Sequence, residues 1–163
     1  MNSKQFWALI DAARQQAGTD MDARVDALQD LLSPLDAHAI AAFQRHYDAQ
    51  RLRAHRWDLW GAAYLIHDGC DHDGFRHFCD WLLSEGREVF EATLRDPDSL
   101  AERAPPRGVA LELFGYVALA VHEQKFRQAL VRDTATDIAL PMGEEWTEAE
   151  LPVLFPRLAH RYW

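Results

Sequence analysis

A chain of 163 residues that is 48% hydrophobic has the composition of a folded domain whose core needs neither disulfides nor a metal. Its formal net charge of −9 argues against a general nucleic-acid binder, because affinity for phosphates depends on Lys and Arg. No apolar run approaches the roughly eighteen residues that span a bilayer, and the N-terminus lacks a secretory signal pattern. We therefore predict a cytoplasmic protein without a membrane partner, in which Cys70 and Cys79 are reduced thiols.

Three amphipathic helices are predicted in the first third of the chain. Asn2 or Ser3 can cap the first helix, and Asp20 and Asp36 can cap the second and third. The third helix is predicted from Ala37 to Arg53. Short connections between successive helices indicate antiparallel packing.

The stretch from Arg56 to Glu88 is predicted to form the centre of the fold. Between Trp57 and Ile66 every residue except Asp58 and one glycine is apolar, so this segment should be a helix buried on nearly all sides. After a polar turn, a second helix from Gly74 to Ser84, capped by Asp73, should cover it.

The following part of the chain is predicted to alternate between helices and loops. We expect a short helix from Arg87 to Leu94 and a long one from Val109 to Leu130. Residues 131–145 have weak periodicity and should form a loop, with Ile138–Met142 folded onto the body. No alternating strand pattern of useful length occurs, so the predicted fold class is all-α.

The C-terminal segment 146–163 is predicted to be a docking tail. Thr147 and Glu150 form a capping-box pattern for a short helix. Pro152 and Pro156 should keep the rest of the tail irregular. The whole chain is thus predicted to be one domain, a multi-helix bundle around the buried Trp-rich helix.

Several long strings resemble a bacterial family of uncharacterised proteins, domain-of-unknown-function family 4240. They are RWDLWGAAYLI, GCDHDGF, FCDWLLSEGREVFEATL and DPDSL, with KQFWALIDAAR near the N-terminus and GEEWTEAELPVLFPRL near the C-terminus. The resemblance implies a small cytoplasmic helical domain, and it implies no activity and no site. His72 departs from the pattern, in which we expect a small or acidic residue.

The loop from His67 to Asp73, followed by His77, has the highest density of metal-ligand side chains. Asp73 and His77 are four residues apart and would project from one helix face. Together with Asp71 they offer the imidazole and carboxylate groups that suit zinc or a similar ion, as in a metal-dependent hydrolase. We favour a polar turn capped by Asp73, because the spacing matches no known signature. No cofactor is predicted.

Asp58 and Arg87 are each charged beside a strongly apolar segment. A buried Asp must be paired or hydrogen-bonded, and Arg87 is a candidate for a bidentate partner. With Trp57 and Trp60 the pair could line the pocket of a small-ligand sensor. Alternatively Asp58 caps its helix or clamps two helices together, which we favour because structural ion pairs perturb pKa values as readily as catalytic ones do.

Two further groups of residues are candidates for contacts with other molecules. The basic stretch from Arg45 to Arg56 could bind an anionic ligand, an RNA segment or an acidic protein, although a solvated helix end is the more common role of such a run. We predict Trp57, Trp60 and Trp81 in the core, whereas Trp146 and Trp163 are candidates for a contact surface.

The sequence contains no nucleophile elbow, phosphate-binding glycine loop or recognised Cys-His signature. We therefore predict a non-enzymatic protein-interaction or regulatory module. Its acidic surface would suit a basic protein partner by electrostatic complementarity. A metal-dependent enzyme using the 67–77 loop and a small-ligand sensor around Asp58 and Arg87 are the alternatives.

Overall fold

The computed structural model describes residues 1–132 and 140–163. These ranges contain ten α-helices and no β-strand, which confirms the all-α prediction. The helices are α1 (Ser3–Ala17), α2 (Met21–Leu32), α3 (Ala37–Ala54), α4 (Trp57–His67), α5 (His72–Ser84), α6 (Arg87–Arg95), α7 (Leu100–Arg103), α8 (Val117–Phe126), α9 (Leu151–Leu154) and α10 (Pro156–Tyr162). Short 3-10 helices lie at Pro97–Ser99, Glu112–Tyr116 and Glu148–Glu150.

The first three helices begin as their capping residues predict. Asn2 and Gln5 form a capping box, in which each side chain accepts a hydrogen bond from the other's backbone N–H at 2.9 Å. Asp20 and Asp36 accept backbone hydrogen bonds at the starts of α2 and α3. These side chains satisfy N–H groups that the helix itself leaves without acceptors.

The core is built around one face of α4. Buried hydrophobic side chains from Phe6 to Tyr162 form one contacting cluster, to which α4 contributes Leu59, Ala62, Ala63, Leu65 and Ile66. The other face of α4 carries the side chains of Trp57, Trp60 and Tyr64, which are only half-buried. The prediction of burial on nearly all sides is therefore wrong for this aromatic face. Trp81 is in the core as predicted.

The long helix predicted from Val109 to Leu130 is wrong at both ends. Leu111 is not helical, with φ of −145° and ψ of 65°, and its N–H donates to the carbonyl of His77 in α5. This contact ties the segment to another helix. The 3-10 helix Glu112–Tyr116 follows it, and α8 starts only at Val117. It ends at Phe126, and the next residue, Arg127, is left-handed with φ of 56°.

The C-terminal tail is more regular than predicted. Pro156 is the first residue of α10, and Pro152 lies in the first turn of α9. Proline is tolerated at these positions, because a backbone N–H there has no intrahelical acceptor to lose. Four side chains of the tail are buried in the core cluster, namely Leu151, Phe155, Leu158 and Tyr162.

The tail packs against the backbone of α4 at Gly61. A Cβ atom at Gly61 would lie 2.7 Å from Cε2 of Phe155 and 3.1 Å from Cδ2 of Leu151. Only glycine allows so close an approach at this position. The tail and the central helix are therefore fitted to one another.

Part of the predicted 131–145 loop, including Ile138, lies outside the described residues. The flanking residue Met142 is tied to the start of α4: its N–H donates to the carbonyl of His55, and its carbonyl accepts from the N–H of Trp57, both at 2.9 Å. No helix in the described ranges has the length and apolar character needed to cross a membrane.

Candidate functional site

The three predicted metal ligands have separate roles in the structure. Asp71, and not Asp73, is the N-cap of α5, since its side chain accepts a hydrogen bond of 2.8 Å from the N–H of Gly74. Asp73 is exposed, and His77 faces Glu112 with 3.6 Å between Nε2 and Oε1. Within residues 1–132 and 140–163, no group of three His, Cys, Asp or Glu side chains is placed to hold a metal ion.

Asp58 is paired with Arg56, so the predicted pairing with Arg87 is wrong. Nε of Arg56 donates to Oδ1 of Asp58 at 2.9 Å, and a terminal nitrogen of Arg56 donates to the other carboxylate oxygen. A third Arg56 donor reaches the carbonyl of Leu94 at 2.9 Å. Arg56 is close enough in sequence to reach Asp58 at the start of α4, whereas Arg87 is exposed at the start of α6. The pair therefore clamps α4 to the end of α6.

Trp57 and Trp60 belong to an aromatic stack that continues into α5. Their rings are 5.3 Å apart with planes at 10°, and Trp60 stacks on Phe75 at 5.0 Å with planes at 6°. Trp146 meets Trp57 edge-on and donates its indole N–H to the Trp57 carbonyl at 2.6 Å. The stack thereby fixes the first residues of the tail to α4.

A groove of about 620 Å³ lies beside Trp146, and we call it the tail groove. It brings the start of α4 and the end of α6 together with the tail. It includes Asp58 among the predicted site residues, but not Arg87, Trp57 or Trp60. Its lining contains five carboxylates, two guanidinium groups and several apolar side chains: Arg56, Asp58, Arg95, Asp96, Pro97, Met142, Gly143, Glu144, Glu145, Trp146, Glu150, Leu154 and Phe155.

The carboxylates of the tail groove differ in what neutralises them. Asp58 and Asp96 are paired with arginines. Glu144 and Glu145 are exposed, and neither forms an ion pair within the described part of the chain. The carboxylate of Glu150 has a pKa below its usual value, because the hydroxyl and the N–H of the capping threonine both donate to it. The groove therefore presents uncompensated negative charge.

A buried carboxylate, Asp80, was missed by the sequence analysis. It lies in α5 with 2% of its surface exposed, accepts a hydrogen bond of 2.8 Å from the hydroxyl of Tyr47, and is 3.7 Å from Nε of Arg51. Burial raises the pKa of Asp80 to about 6, and the positive charge of Arg51 opposes that rise. The string FCDWLL contained the signal, since Asp80 is its one polar residue among apolar neighbours.

The two thiols are not poised for nucleophilic chemistry. Burial, followed by the charge of Asp71, raises the pKa of Cys70 to about 12. Burial also raises the pKa of Cys79 well above its usual value. Because the thiolate is the reactive form, both groups are held in the unreactive state at neutral pH. They are not bridged to one another.

Comparison with known proteins identifies a family and nothing more specific. A family model with the description "Protein of unknown function (DUF4240)" matches residues 1–126. The match confirms the resemblance for the strings within residues 1–126, whereas the C-terminal string GEEWTEAELPVLFPRL lies outside it. No protein with curated annotation and no solved structure matches the chain.

Proposed function

The chain belongs to the DUF4240 family, and we propose that it is a cytoplasmic, non-enzymatic interaction module whose tail groove binds a basic segment of another protein. The observation that carries the proposal is the combination of unpaired carboxylates and exposed apolar side chains along one groove.

The edge of the tail groove carries negative charge. Glu144 and Glu145 border the groove without cationic partners in the described residues, within a chain whose formal net charge is −9. Lys or Arg side chains of a partner would be attracted to this edge from a distance, which raises the association rate at low salt. A basic segment is therefore the partner chemistry that the groove fits.

The tail groove also exposes apolar side chains. Met142 and Leu154 line the groove with 50% and 53% of their surface exposed, and Val153 beside them is 82% exposed. Contiguous apolar side chains with a polar rim are typical of protein-binding surfaces. A basic segment that also carries apolar residues would use both features.

The groove is also held in a fixed shape. Its wall at Trp146 is anchored by the hydrogen bond to the Trp57 carbonyl. Its floor contains Arg56, which is bonded to both Asp58 and Leu94. A preorganised surface loses less conformational entropy on binding than a flexible one, so ordering its side chains reduces the binding free energy less.

Fluorescence anisotropy with a labelled amphipathic peptide of Lys and Leu tests this proposal on the full chain. We expect the double variant Glu144→Lys, Glu145→Lys to weaken binding about tenfold or more, since it reverses the charge at the groove edge. The matched control is Asp26→Lys, Asp30→Lys on α2, which changes the net charge equally at exposed positions outside the groove.

Equal weakening in both double variants would mean that the peptide responds only to net charge, which would overturn the proposal. A second peptide, with Glu in place of Lys, should not bind the wild-type chain. Binding of that acidic peptide with similar affinity would also contradict a charge-selective groove.

A further inference from the structure

A second cavity lies between α3 and α5 and has the opposite electrostatic character. Its volume is about 60 Å³. It is lined by basic, aromatic and sulfur-containing side chains, which include Arg51, His55, His72, Phe75, Arg76 and Cys79. None of these residues lines the tail groove.

Arg51 is oriented by the buried carboxylate of Asp80. The Arg51 side chain is only 15% exposed, and its Nε lies 3.7 Å from Oδ1 of Asp80. Among the described residues, neither terminal nitrogen of Arg51 has a hydrogen-bond partner. Asp80 is not part of the cavity lining, so it neutralises one edge of the guanidinium and leaves the terminal N–H groups for a ligand.

Arg76 provides a second guanidinium from the opposite helix. One of its terminal nitrogens donates to the hydroxyl of Tyr116 at 2.8 Å, which holds the side chain in place. At the edge of the same cavity the rings of His55 and His72 are 6.0 Å apart. Two fixed guanidinium groups and two imidazoles thus converge on one small space.

We propose that this cavity binds a small tetrahedral oxyanion of the phosphate class, held between Arg51 and Arg76. Guanidinium groups donate paired hydrogen bonds that match the oxygen geometry of phosphate. One water molecule needs about 10–15 Å³ of such space, so the cavity admits an ion of about four or five heavy atoms and excludes an enclosed nucleotide or sugar.

The surrounding charges agree with an anionic occupant. Arg51 is paired with the buried carboxylate of Asp80, whereas the carboxylate of Asp73, 3.9 Å from Nδ1 of His72, is 79% exposed at the outer edge of the cavity. Arg132, the next cation along this side, is already paired with Asp48 at 2.6 Å, so that pair adds no net charge. The two guanidinium groups carry one more charge than the buried carboxylate of Asp80 beside them, and an oxyanion would neutralise that excess.

The test is a titration of the full chain with inorganic phosphate at constant ionic strength, followed by backbone amide shifts in an NMR spectrum. We expect saturable shifts at Phe75, Arg76 and Cys79, and none around Trp146. Glycerol 3-phosphate is the second probe. Its binding at similar affinity would identify the occupant as the phosphoryl group of a small metabolite, and binding of inorganic phosphate alone would identify the free ion.

Variants separate a built site from general charge attraction. Arg51→Gln and Arg76→Gln should each weaken binding about tenfold or more, because each removes charge-assisted donors. Arg45→Gln is the matched control, since Arg45 is an exposed arginine of the same helix α3 outside the cavity. Arg76→Gln keeps the test valid if loss of the Asp80 partner prevents folding of Arg51→Gln.

Two results would overturn the inference. The first is the absence of saturable shifts with either probe at about 10 mM, which would mean an affinity too weak for a built site. The second is equal weakening by Arg45→Gln and Arg76→Gln, which would show that phosphate responds only to overall charge. Neither result bears on peptide binding in the tail groove, so the two proposals fail independently.

Discussion

The hydroxyl of Tyr47 in α3 donates a hydrogen bond of 2.8 Å to Asp80 in α5, and both groups are buried. Burial, followed by the charge of Asp80, raises the pKa of Tyr47 well above its usual value, so the phenol remains a donor throughout the physiological range. The two helices are therefore joined by a polar contact whose strength depends on the ionisation of one carboxyl group.

The first prediction concerns pH. The pKa of Asp80 is about 6 in the folded chain, above its ordinary value of 3.8, so the fold favours the neutral carboxyl. This stabilisation is complete below about pH 4 and is lost as the pH rises through about 6, with a total of about 3 kcal/mol. Asp80→Asn cannot ionise, so it does not lose this stabilisation. The free energy of unfolding of Asp80→Asn minus that of wild type should therefore increase by about 3 kcal/mol as the pH is raised from below 4 to well above 6.

Urea denaturation of both proteins from acidic to neutral pH measures this difference. All other titrating groups are common to the two proteins, so they cancel in the comparison. An identical pH dependence in wild type and Asp80→Asn would contradict the raised pKa.

The second prediction concerns Gly115, which faces the same carboxylate. A Cβ atom there would lie 2.8 Å and 2.9 Å from the two Asp80 oxygens. Gly115→Ala should lower the free energy of unfolding by about 1–3 kcal/mol, since the buried carboxylate has little room to move. In an Asp80→Ala background, the same glycine substitution should cost much less, and a double-mutant cycle by denaturation measures the coupling.

The third prediction concerns Asp98, which caps α10 from a distant part of the chain. Its carboxylate accepts from the N–H groups of Arg157 and Leu158 at 3.1 Å and 2.9 Å, and it is 7% exposed. Asp98→Ala should destabilise the protein by about 2–4 kcal/mol, because buried N–H groups lose their acceptor. Hydrogen exchange should rise in α10 before it rises in α1.

Glu102→Ala is the control for Asp98, since Glu102 also pairs with Arg157 but its side chain is 73% exposed. An exposed ion pair contributes less than about 1 kcal/mol, so this variant should be nearly neutral. An equal loss of stability in Asp98→Ala and Glu102→Ala would mean that the effect comes from the ion pairs of Arg157 and not from the capping of α10 by Asp98.

The fourth prediction separates two adjacent acidic residues. Asp71→Ala should cost about 1 kcal/mol, because it removes the N-cap of α5. Asp73→Ala should change stability by less than about 0.5 kcal/mol, since that side chain is 79% exposed. Thermal denaturation of the two variants compares them directly, and the reverse order would restore Asp73 as the cap.

The starts of the first helices could be predicted because their signals are local. Asn2, Asp20 and Asp36 each bond to backbone only three residues away, so the sequence next to each cap contains the information. The predicted start of α5 is two residues later than the observed one, because a local signal was ambiguous there. The string DHD offers two equivalent aspartates, and only the path of the preceding turn selects Asp71.

Features that depend on distant contacts could not be predicted in the same way. The break at Leu111 in the predicted long helix coincides with a hydrogen bond from its N–H to the carbonyl of His77 in α5. Arg56 is held by the carbonyl of Leu94 as well as by Asp58, and no local pattern indicates the contact with Leu94. The tail groove joins segments from the middle and end of the chain, and no local pattern indicates which of them meet.

The fit of Phe155 against Gly61 has a consequence for biosynthesis. Helix α4 emerges from the ribosome long before the segment that covers it, so its apolar face remains without this cover while the intervening chain is made. Contacts between residues far apart in sequence form slowly, and exposed apolar surface during that interval promotes aggregation. We expect a nascent chain that stops before α9 to depend on chaperones, and to become independent of them once α10 is released.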